Sequence, residues 1–572
     1  MQYKWLIKAG GSPEEIEKLK SEGLNINKAV LNMLIQRGIS TYKEAESFFN
    51  SNLDDLHDSF LMADMDKAVN RIIKAIDNGE KILVYGDYDV DGTTSVAMVF
   101  SFLSRIYKKL DYYIPDRYSE GYGISTKGVD FAAENGFSII IALDCGIKSM
   151  DKVEYATGKN IDFIICDHHT PGDKIPAAIA VLDPKRNDCN YPFKELSGCG
   201  VGFKLLQALA GKLGLEKSSL WELLDLVVVS IASDIVSITG ENRILAYYGL
   251  KKINESPRTG LKAIIEVSGH KASELSISDI VFKIGPRINA AGRIESGRSA
   301  VKLLIEENHD FAAEMSGKIN KQNETRQFLD KSITDEALEM IHSNELLRDK
   351  KSTVLYKPDW HKGVVGIVAS RLIETYYKPT IILTESNGMA TGSARSIDGF
   401  DLYQAIDSCS DLLCNFGGHK HAAGLSMKIE HVEEFSVRFE EYTRQNLTED
   451  QMIPKINIDQ YISFSEITPR FFSILKRFAP FGPGNMSPVF VSENIHDTGG
   501  SRLVGKTEEH LRVELADDQD NKLIGIGFFK GEFIKMVKEN PRFNVCYSIE
   551  ENEFNGQTSL QLRIRDIQVN PS

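Results

Sequence analysis

Lys81-Ile82-Leu83-Val84-Tyr85-Gly86-Asp87-Tyr88-Asp89-Val90-Asp91-Gly92 decides how the rest of the chain reads. Lys81 to Tyr85 is a short apolar run of the buried-strand type, and acidic residues follow it at alternate positions. Residues 94–110 then carry helical spacing. Two later apolar runs, 137–143 and 161–166, end in Asp144-Cys145-Gly146 and Asp167-His168-His169. Helical stretches separate the runs, so the alternation predicts βαβ units and an α/β fold with a parallel sheet. The carboxyl ends of parallel strands line one edge, where ligands bind. Three clusters distant in sequence should therefore converge. Asp234, at the end of an apolar stretch (220–231) read as a buried helix, is a fourth candidate.

Clustered carboxylates cannot all stay ionised in a dry site without cations. Oxygen ligands with one or two imidazoles and no thiolate suit Mn²⁺ or Mg²⁺ better than zinc, and the imidazole favours Mn²⁺. Two ions roughly 4 Å apart stabilise both the attacking and leaving oxygens of a phosphoryl displacement. Taken alone, an aspartate such as Asp87 reads better as a helix cap or loop residue. Asp-x-Asp-Gly also opens calcium loops, but Ala97 and Met98 follow where an EF-hand needs its glutamate.

Outward from this block, residues 1–79 read as mostly helical, with helical spacing over 28–49 and 65–76. Residues 311–342 read as a long exposed connecting helix. A second α/β region spans 352–446, with a helix over 364–376 and a strand over 380–383. Short alternating runs at 488–491, 511–515, 523–528, 543–549 and 560–567 predict a small β-barrel. The expected domains are 1–310, 311–350, 351–447 and 453–572.

The 67 basic and 81 acidic residues leave a net charge of −14. That excludes a broad basic coat for nucleic acid but leaves room for a narrow basic channel. Seven cysteines without a C-x-x-C pair argue against a zinc site or disulfide framework and for reduced thiols. No apolar run reaches the roughly 20 residues of a membrane span, and no secretory leader is apparent, so a cytoplasmic protein is expected.

Val84 to Ser95 resembles the first motif of the DHH phosphoesterases in its RecJ form, and Asp167-His168-His169 is similar to the signature that names that family. Asp144 stands at the bridging aspartate of the second motif. Asp234, followed by Gly240-Glu241-Asn242-Arg243, resembles the fourth. Gly285-Pro286-Arg287-Ile288-Asn289-Ala290-Ala291-Gly292-Arg293, the stretch from Trp360 to Arg371, and Gly417-Gly418-His419-Lys420-His421-Ala422-Ala423-Gly424 resemble further motifs of RecJ-type exonucleases. The resemblance implies a DHH domain, a connecting helix, a DHH-associated α/β domain and a C-terminal OB-type barrel. It implies two-metal, 5′→3′ hydrolysis of single-stranded DNA in repair and recombination. Asp89 and Asp144 would hold one ion. Asp91, Asp144, His168 and Asp234 would hold the other, with Asp87 a weaker ligand.

His169 and Arg287 would face the scissile phosphate, with Asn289 nearby. Arg117, Ser393 and Arg395 would form a pocket for the 5′-phosphate, the last two in a loop. His419, also placed in a loop, would face the substrate, as would His421. Phe490, Phe528, Phe529 and Tyr547 are available for base stacking. Gly198-Cys199-Gly200 reads as a turn into a helix, and Phe481-Gly482-Pro483-Gly484-Asn485 as a turn without chemistry. Expected partners are single-stranded DNA and a single-strand-binding protein or helicase, with the chain itself a monomer. Two rivals are a DHH enzyme for short oligonucleotides or cyclic dinucleotides, and a DNA-binding scaffold with a dead site.

Overall fold

The structure, a computed structural model, describes residues 3–569 other than Ser273, Glu295 and Asn555. Its central sheet has five parallel strands in the order Leu110–Tyr113, Lys81–Gly86, Phe137–Leu143, Asp162–Cys166, Ala180–Leu182. Alternate residues feed two different cores. Ile82, Val84, Ile139, Ile141 and Ile164 pack on one face, and Leu83, Tyr85, Ile140, Ala142 and Phe163 on the other. Both faces are covered, which is why the runs are continuously apolar. The strand order reverses on either side of Lys81–Gly86, so its carboxyl end opens at a topological switch point.

The helix expected at 94–110 instead spans Val90–Ile106. Asp89 caps it, its Oδ1 accepting from Gly92 N at 3.0 Å. Leu110–Tyr113 is the edge strand, not helix. The apolar stretch 220–231 breaks into Ser218–Trp221 and Leu224–Ser233.

The connecting helix, His309–His342, is not an exposed rod. Ala312, Ser316, Ile319, Asn323, Arg326, Asp330, Ile333, Ala337 and Ile341 form a buried stripe spaced by three or four residues. Its first half packs on the central domain through Ala312 and Ile319, and its second half on the next domain through Ile333, Ala337 and Ile341. Between them, buried Asp330 accepts from Arg371 Nε at 2.8 Å.

The second domain holds a mixed five-stranded sheet, ordered Leu413–His419, Ala422–Met427, Met389–Arg395, Thr380–Ser386, Thr353–Tyr356. The C-terminal sheet closes on itself where His496 and Asp497 pair with Ala516 and Leu515. Phe490–Asp497, His510–Ala516, Lys522–Gly527, Phe543–Phe554 and Gln557–Gln568 thus make a five-stranded barrel of the OB type. Phe490 and Tyr547 are fully buried inside it, with no ring face open to a base, whereas Phe528 and Phe529 are exposed.

The N-terminal region departs from the expected grouping. Lys4–Ile7 is a strand pairing in parallel with Lys455–Ile458. Ala29, Val30, Met33, Leu34 and Ala45 share a core with barrel residues Phe471, Phe490 and Val545. These helices belong with the C-terminal domain, a long-range pairing that local periodicity does not encode. Among the described residues no helix is long and apolar enough to cross a membrane, and all seven cysteines are free, six of them buried.

Candidate metal centre and anion cavity

The strand ends converge. His168 Nε2 lies 3.2 Å from Asp144 Oδ1, 3.5 Å from Asp234 Oδ2 and 3.8 Å from Asp91 Oδ2. Two overlapping donor sets result, Asp144/His168/His169 and Asp91/His168/Asp234, with ligand atoms within 4.8 Å of one another. Asp144 Oδ1, Asp87 Oδ2 and both ring nitrogens of His168 are buried without hydrogen-bond partners. Orphaned buried polar atoms are costly, and here they are the atoms a hard cation would take. The donor set therefore fits divalent ions.

Local structure fixes each group. Asp144 sits in the left-handed region (φ +58°) at the end of its strand. A Cβ on Gly198 would fall 2.6 Å from Asp144 Oδ1, so only glycine fits there. Asp91 is held by four donors: Gly198 N at 2.7 Å, Cys199 N at 2.8 Å, Ser230 Oγ at 2.7 Å and, more weakly, Ser95 Oγ at 3.5 Å. The stretch read as a turn into a helix is the N-terminus of the helix Gly198–Lys212, and it is aimed at a carboxylate. Gly92 allows the close return of the chain, since its Cβ would lie 2.4 Å from Asp87 O.

Burial and then the neighbouring Asp91 and Asp89 charges push Asp234 up to about 8 and Asp144 well above the carboxylate range. Burial, then the adjacent carboxylates, also raises Asp87 and Asp89. Burial lowers His168, keeping its imidazole neutral and able to bind a cation. Without cations this edge is short of positive charge.

His169 is not solely turned to solvent. Its Nδ1 bonds Asp167 Oδ1 at 2.7 Å and its Nε2 meets the Tyr122 hydroxyl at 3.1 Å. Asp167 also accepts from the backbone N–H of Ile147, His168 and His169. Sequence reasoning missed Asp167 and Tyr122 in this role. The aspartate lay in the quoted motif, but nothing marked the tyrosine.

Asp87 and Asp89 stand beside the donor sets without joining them among the described residues. Arg287 lies on a helix, Gly285–Ile294. Its guanidinium donates to Asn320 Oδ1, Lys283 O and Ser268 O, not to the carboxylates. The same helix carries half-buried Asn289 and passes close to the aspartate loop, where a Cβ on Gly292 would sit 2.7 Å from Tyr88 O.

A second feature lies where the two α/β domains meet. A cavity of about 410 Å³ is lined by Tyr88, Arg117, Arg293, Lys362, Ser393 and Arg395, among others. Arg117 stacks on the Tyr88 ring, 4.8 Å from its centroid. Arg395 Nη1 donates to Ser393 Oγ at 2.7 Å, and Arg293 Nη1 to Gly363 O at 2.8 Å. Burial, then the charges of Arg117, Arg326 and Arg395, brings Arg293 down to about 10. Arginines crowded this way call for an anion. Arg117, Ser393 and Arg395 meet here, joined by Arg293 and Lys362, which were quoted in motifs without a role. Ser393 and Arg395 belong to a strand, Met389–Arg395, rather than a loop. Gly392 permits it, since a Cβ there would sit 2.0 Å from Ile382 O. His419 pairs with Ala422 across a two-residue hairpin turn, Lys420-His421, and lies exposed at a strand end outside this cavity.

The parallel sheet with its carboxylate–imidazole edge is the frame of a DHH-type phosphoesterase. Residues 81–231 match the DHH family, N-terminal domain, 349–445 the DHHA1 domain, and 458–566 the RecJ OB domain. The single-stranded-DNA-specific exonuclease RecJ of Bacillus subtilis is 38% identical over 559 residues, covering 97% of this chain and 70% of that protein. Its Escherichia coli counterpart is 34% identical over 525 residues, covering 88% and 90%. The crystal structure of RecJ with Mn²⁺ from Thermus thermophilus superposes with a TM-score of 0.85 at 25% identity, over 100% of this chain and 80% of that one. This chain belongs to the RecJ family.

Proposed function

We propose that the chain hydrolyses single-stranded DNA from its 5′ end, releasing nucleotides 5′→3′, with two divalent ions, Mn²⁺ preferred and Mg²⁺ accepted, in DNA repair and recombination. The observation that carries this reading is the set of buried, unpartnered ligand atoms on Asp87, Asp144 and His168. Asp91, Asp144, His168 and Asp234 would hold one ion, and Asp89 with Asp144 the other, with Asp87 in support. When bound, such ions neutralise the scissile phosphate and lower the pKa of the attacking water.

The chain's own groups orient the substrate. His169, held by Asp167, presents its ring to the phosphate. Arg287 would leave its carbonyl partners and offer its fork to the same group. Arg117, Arg293, Lys362, Ser393 and Arg395 would grip the terminal 5′-phosphate and set the register of cutting. Asn289 and His419 would touch the strand between. Exposed Phe528 and Phe529 supply stacking surface on the barrel.

The proposed domain limits stay at 311–350, 351–447 and 453–572, with 1–310 divided near residue 50. The chain works as a cytoplasmic monomer, with a single-strand-binding protein or helicase delivering the strand. The test follows nucleotide release from 5′-labelled and 3′-labelled single-stranded DNA with Mn²⁺, beside Asp144→Ala and a chelator. Early loss of the 5′ label, abolished by both controls, is expected. Release from neither end, with strand binding intact, would overturn the reading.

A further inference from the structure

Asp234 differs from the other carboxylates of the centre. Asp91 takes hydrogen bonds from four donors, and Asp87 takes one from Gly123 N. Among the described residues nothing donates a hydrogen bond to the Asp234 carboxylate; His168 Nε2 lies 3.5 Å from its Oδ2. Its position rests on its backbone, at the end of the helix Leu224–Ser233, and on residues 235–239 that follow.

That segment is gripped from outside the catalytic domain. Ile238 N donates to Pro483 O at 2.7 Å. Gly482 and Gly484 let the 481–485 turn approach so closely that their Cβ atoms would lie 2.5 Å from Ile238 Cδ1 and 2.4 Å from Ser237 Oγ. Asn485 Nδ2 donates to Phe478 O at 2.7 Å and Pro480 O at 2.9 Å, stiffening the turn from within.

The far end of the segment is bracketed by three consecutive side chains. Glu241 accepts from His57 N at 2.9 Å, Lys204 Nζ at 3.2 Å and the Tyr191 hydroxyl at 2.6 Å, all on the catalytic side. Asn242 Nδ2 donates to Ser237 O at 2.9 Å, closing the segment on itself. Arg243 reaches the other way. It donates to Phe478 O at 2.7 Å, Arg477 O at 3.2 Å and Phe48 O at 3.1 Å, and its guanidinium lies 3.9 Å from the Phe48 ring centroid. Each carbonyl belongs to the barrel side or to the N-terminal helices packed on it.

We infer that the 477–485 turn and the Glu241-Asn242-Arg243 bracket are positioning elements for Asp234, so that docking of the C-terminal domain tunes metal affinity as well as strand binding. The inference rests on the reading of Asp234 as a ligand. A domain that only held DNA would need no contact with this segment. Partners that orient metal ligands are typically worth 10–100-fold in metal affinity.

The experiment uses the full chain and Mn²⁺ alone, titrated calorimetrically, with turnover of a 5′-phosphorylated trinucleotide and of a long strand beside it. Gly484→Ala drives a methyl into Ser237 and Thr239 at a left-handed position (φ +74°). Gly499→Ala places the same strain (φ +98°) in the same domain with nothing within 4 Å. Arg243→Lys keeps the charge and loses the fork, and serves where Gly484→Ala does not fold. Asp234→Asn tests the underlying ligand. Expected is Mn²⁺ affinity about tenfold weaker in Gly484→Ala and several-fold weaker in Arg243→Lys, with kcat on the trinucleotide falling in step. Gly499→Ala should match the unmodified chain. Mn²⁺ affinity in both Gly484→Ala and Arg243→Lys within twofold of Gly499→Ala, while Asp234→Asn loses it, overturns the positioning role alone. An unchanged Asp234→Asn overturns the ligand reading and this inference with it.

Discussion

The acidic edge and the arginine cavity handle opposite charges and are built in opposite ways. The edge takes Asp87, Asp89, Asp91, Asp144 and His168 from successive strand ends of one sheet, and backbone donors such as Gly198 N hold them. The cavity takes Arg117 and Arg293 from one domain and Lys362, Ser393 and Arg395 from the other. The first is a property of a fold. The second exists only while two domains stay docked along the connecting helix. One region should therefore govern whether a bond is cut, and the other which bond.

The sharpest way to break that division is Asp144→Asn. It should reduce nucleotide release on the order of 10³-fold, about 4 kcal/mol of barrier. The preference for 5′-phosphorylated over 5′-hydroxyl ends should survive in strand binding. If that binding preference vanished as well, the two regions would not be separable. Arg395→Gln should do the converse. The 5′-phosphate preference should shrink roughly 10–100-fold, as for loss of a charge-assisted hydrogen bond, with Mn²⁺ affinity unchanged by calorimetry.

pH separates the regions a third way. Asp234, pushed up to about 8, carries a proton at neutral pH that a cation must displace. Mn²⁺ affinity should therefore fall by up to about tenfold for each pH unit below that value and level off above it. The 5′-phosphate preference should stay flat from about pH 7 to 9, above the roughly 6 at which a terminal phosphate gains its second charge, because guanidinium groups keep their charge. A flat Mn²⁺ titration would contradict the buried acidic edge. The smallest effect is expected from Ser393→Ala. The serine hydroxyl bonds Arg395 at 2.7 Å, and its loss should shift the preference only about fivefold, near 1 kcal/mol.

The same contrast explains what could be read in advance. The strands ending at Gly86, Leu143 and Cys166 were legible because buried parallel strands are short, apolar and terminated by polar residues. Convergence of their acidic ends followed from sheet geometry. The cavity was half legible: Arg117 and Arg395 came from resemblance, while Arg293 and Lys362 acquire a role only once the domains meet. Of the edge strand Leu110–Tyr113 only Leu110 lay in the helix expected at 94–110, and the remaining three residues, mostly half-buried at the sheet edge, form no apolar run that would mark a strand. The buried stripe of the connecting helix was hidden by its own chemistry, since Asn323, Arg326 and Asp330 are polar residues placed inside. The 481–485 turn was recognised as a turn. Its purpose lies in Ser237 and Ile238, which local pattern cannot pair with it.

The parallel pairing of Lys4–Ile7 with Lys455–Ile458 bears on how the molecule is made. Domains emerging from a ribosome generally fold as units, first-made first. Here the strand Lys4–Ile7 has its partner beyond two intervening domains, and Val30, Met33 and Leu34 share a core with Phe471 and Val545. Beyond the small local core of Ile16, Leu19 and Leu31, these helices keep an apolar face uncovered while two domains fold between them and their destination. Completion of the barrel is then the step that buries these helices, and a polypeptide interrupted before it leaves their apolar face exposed.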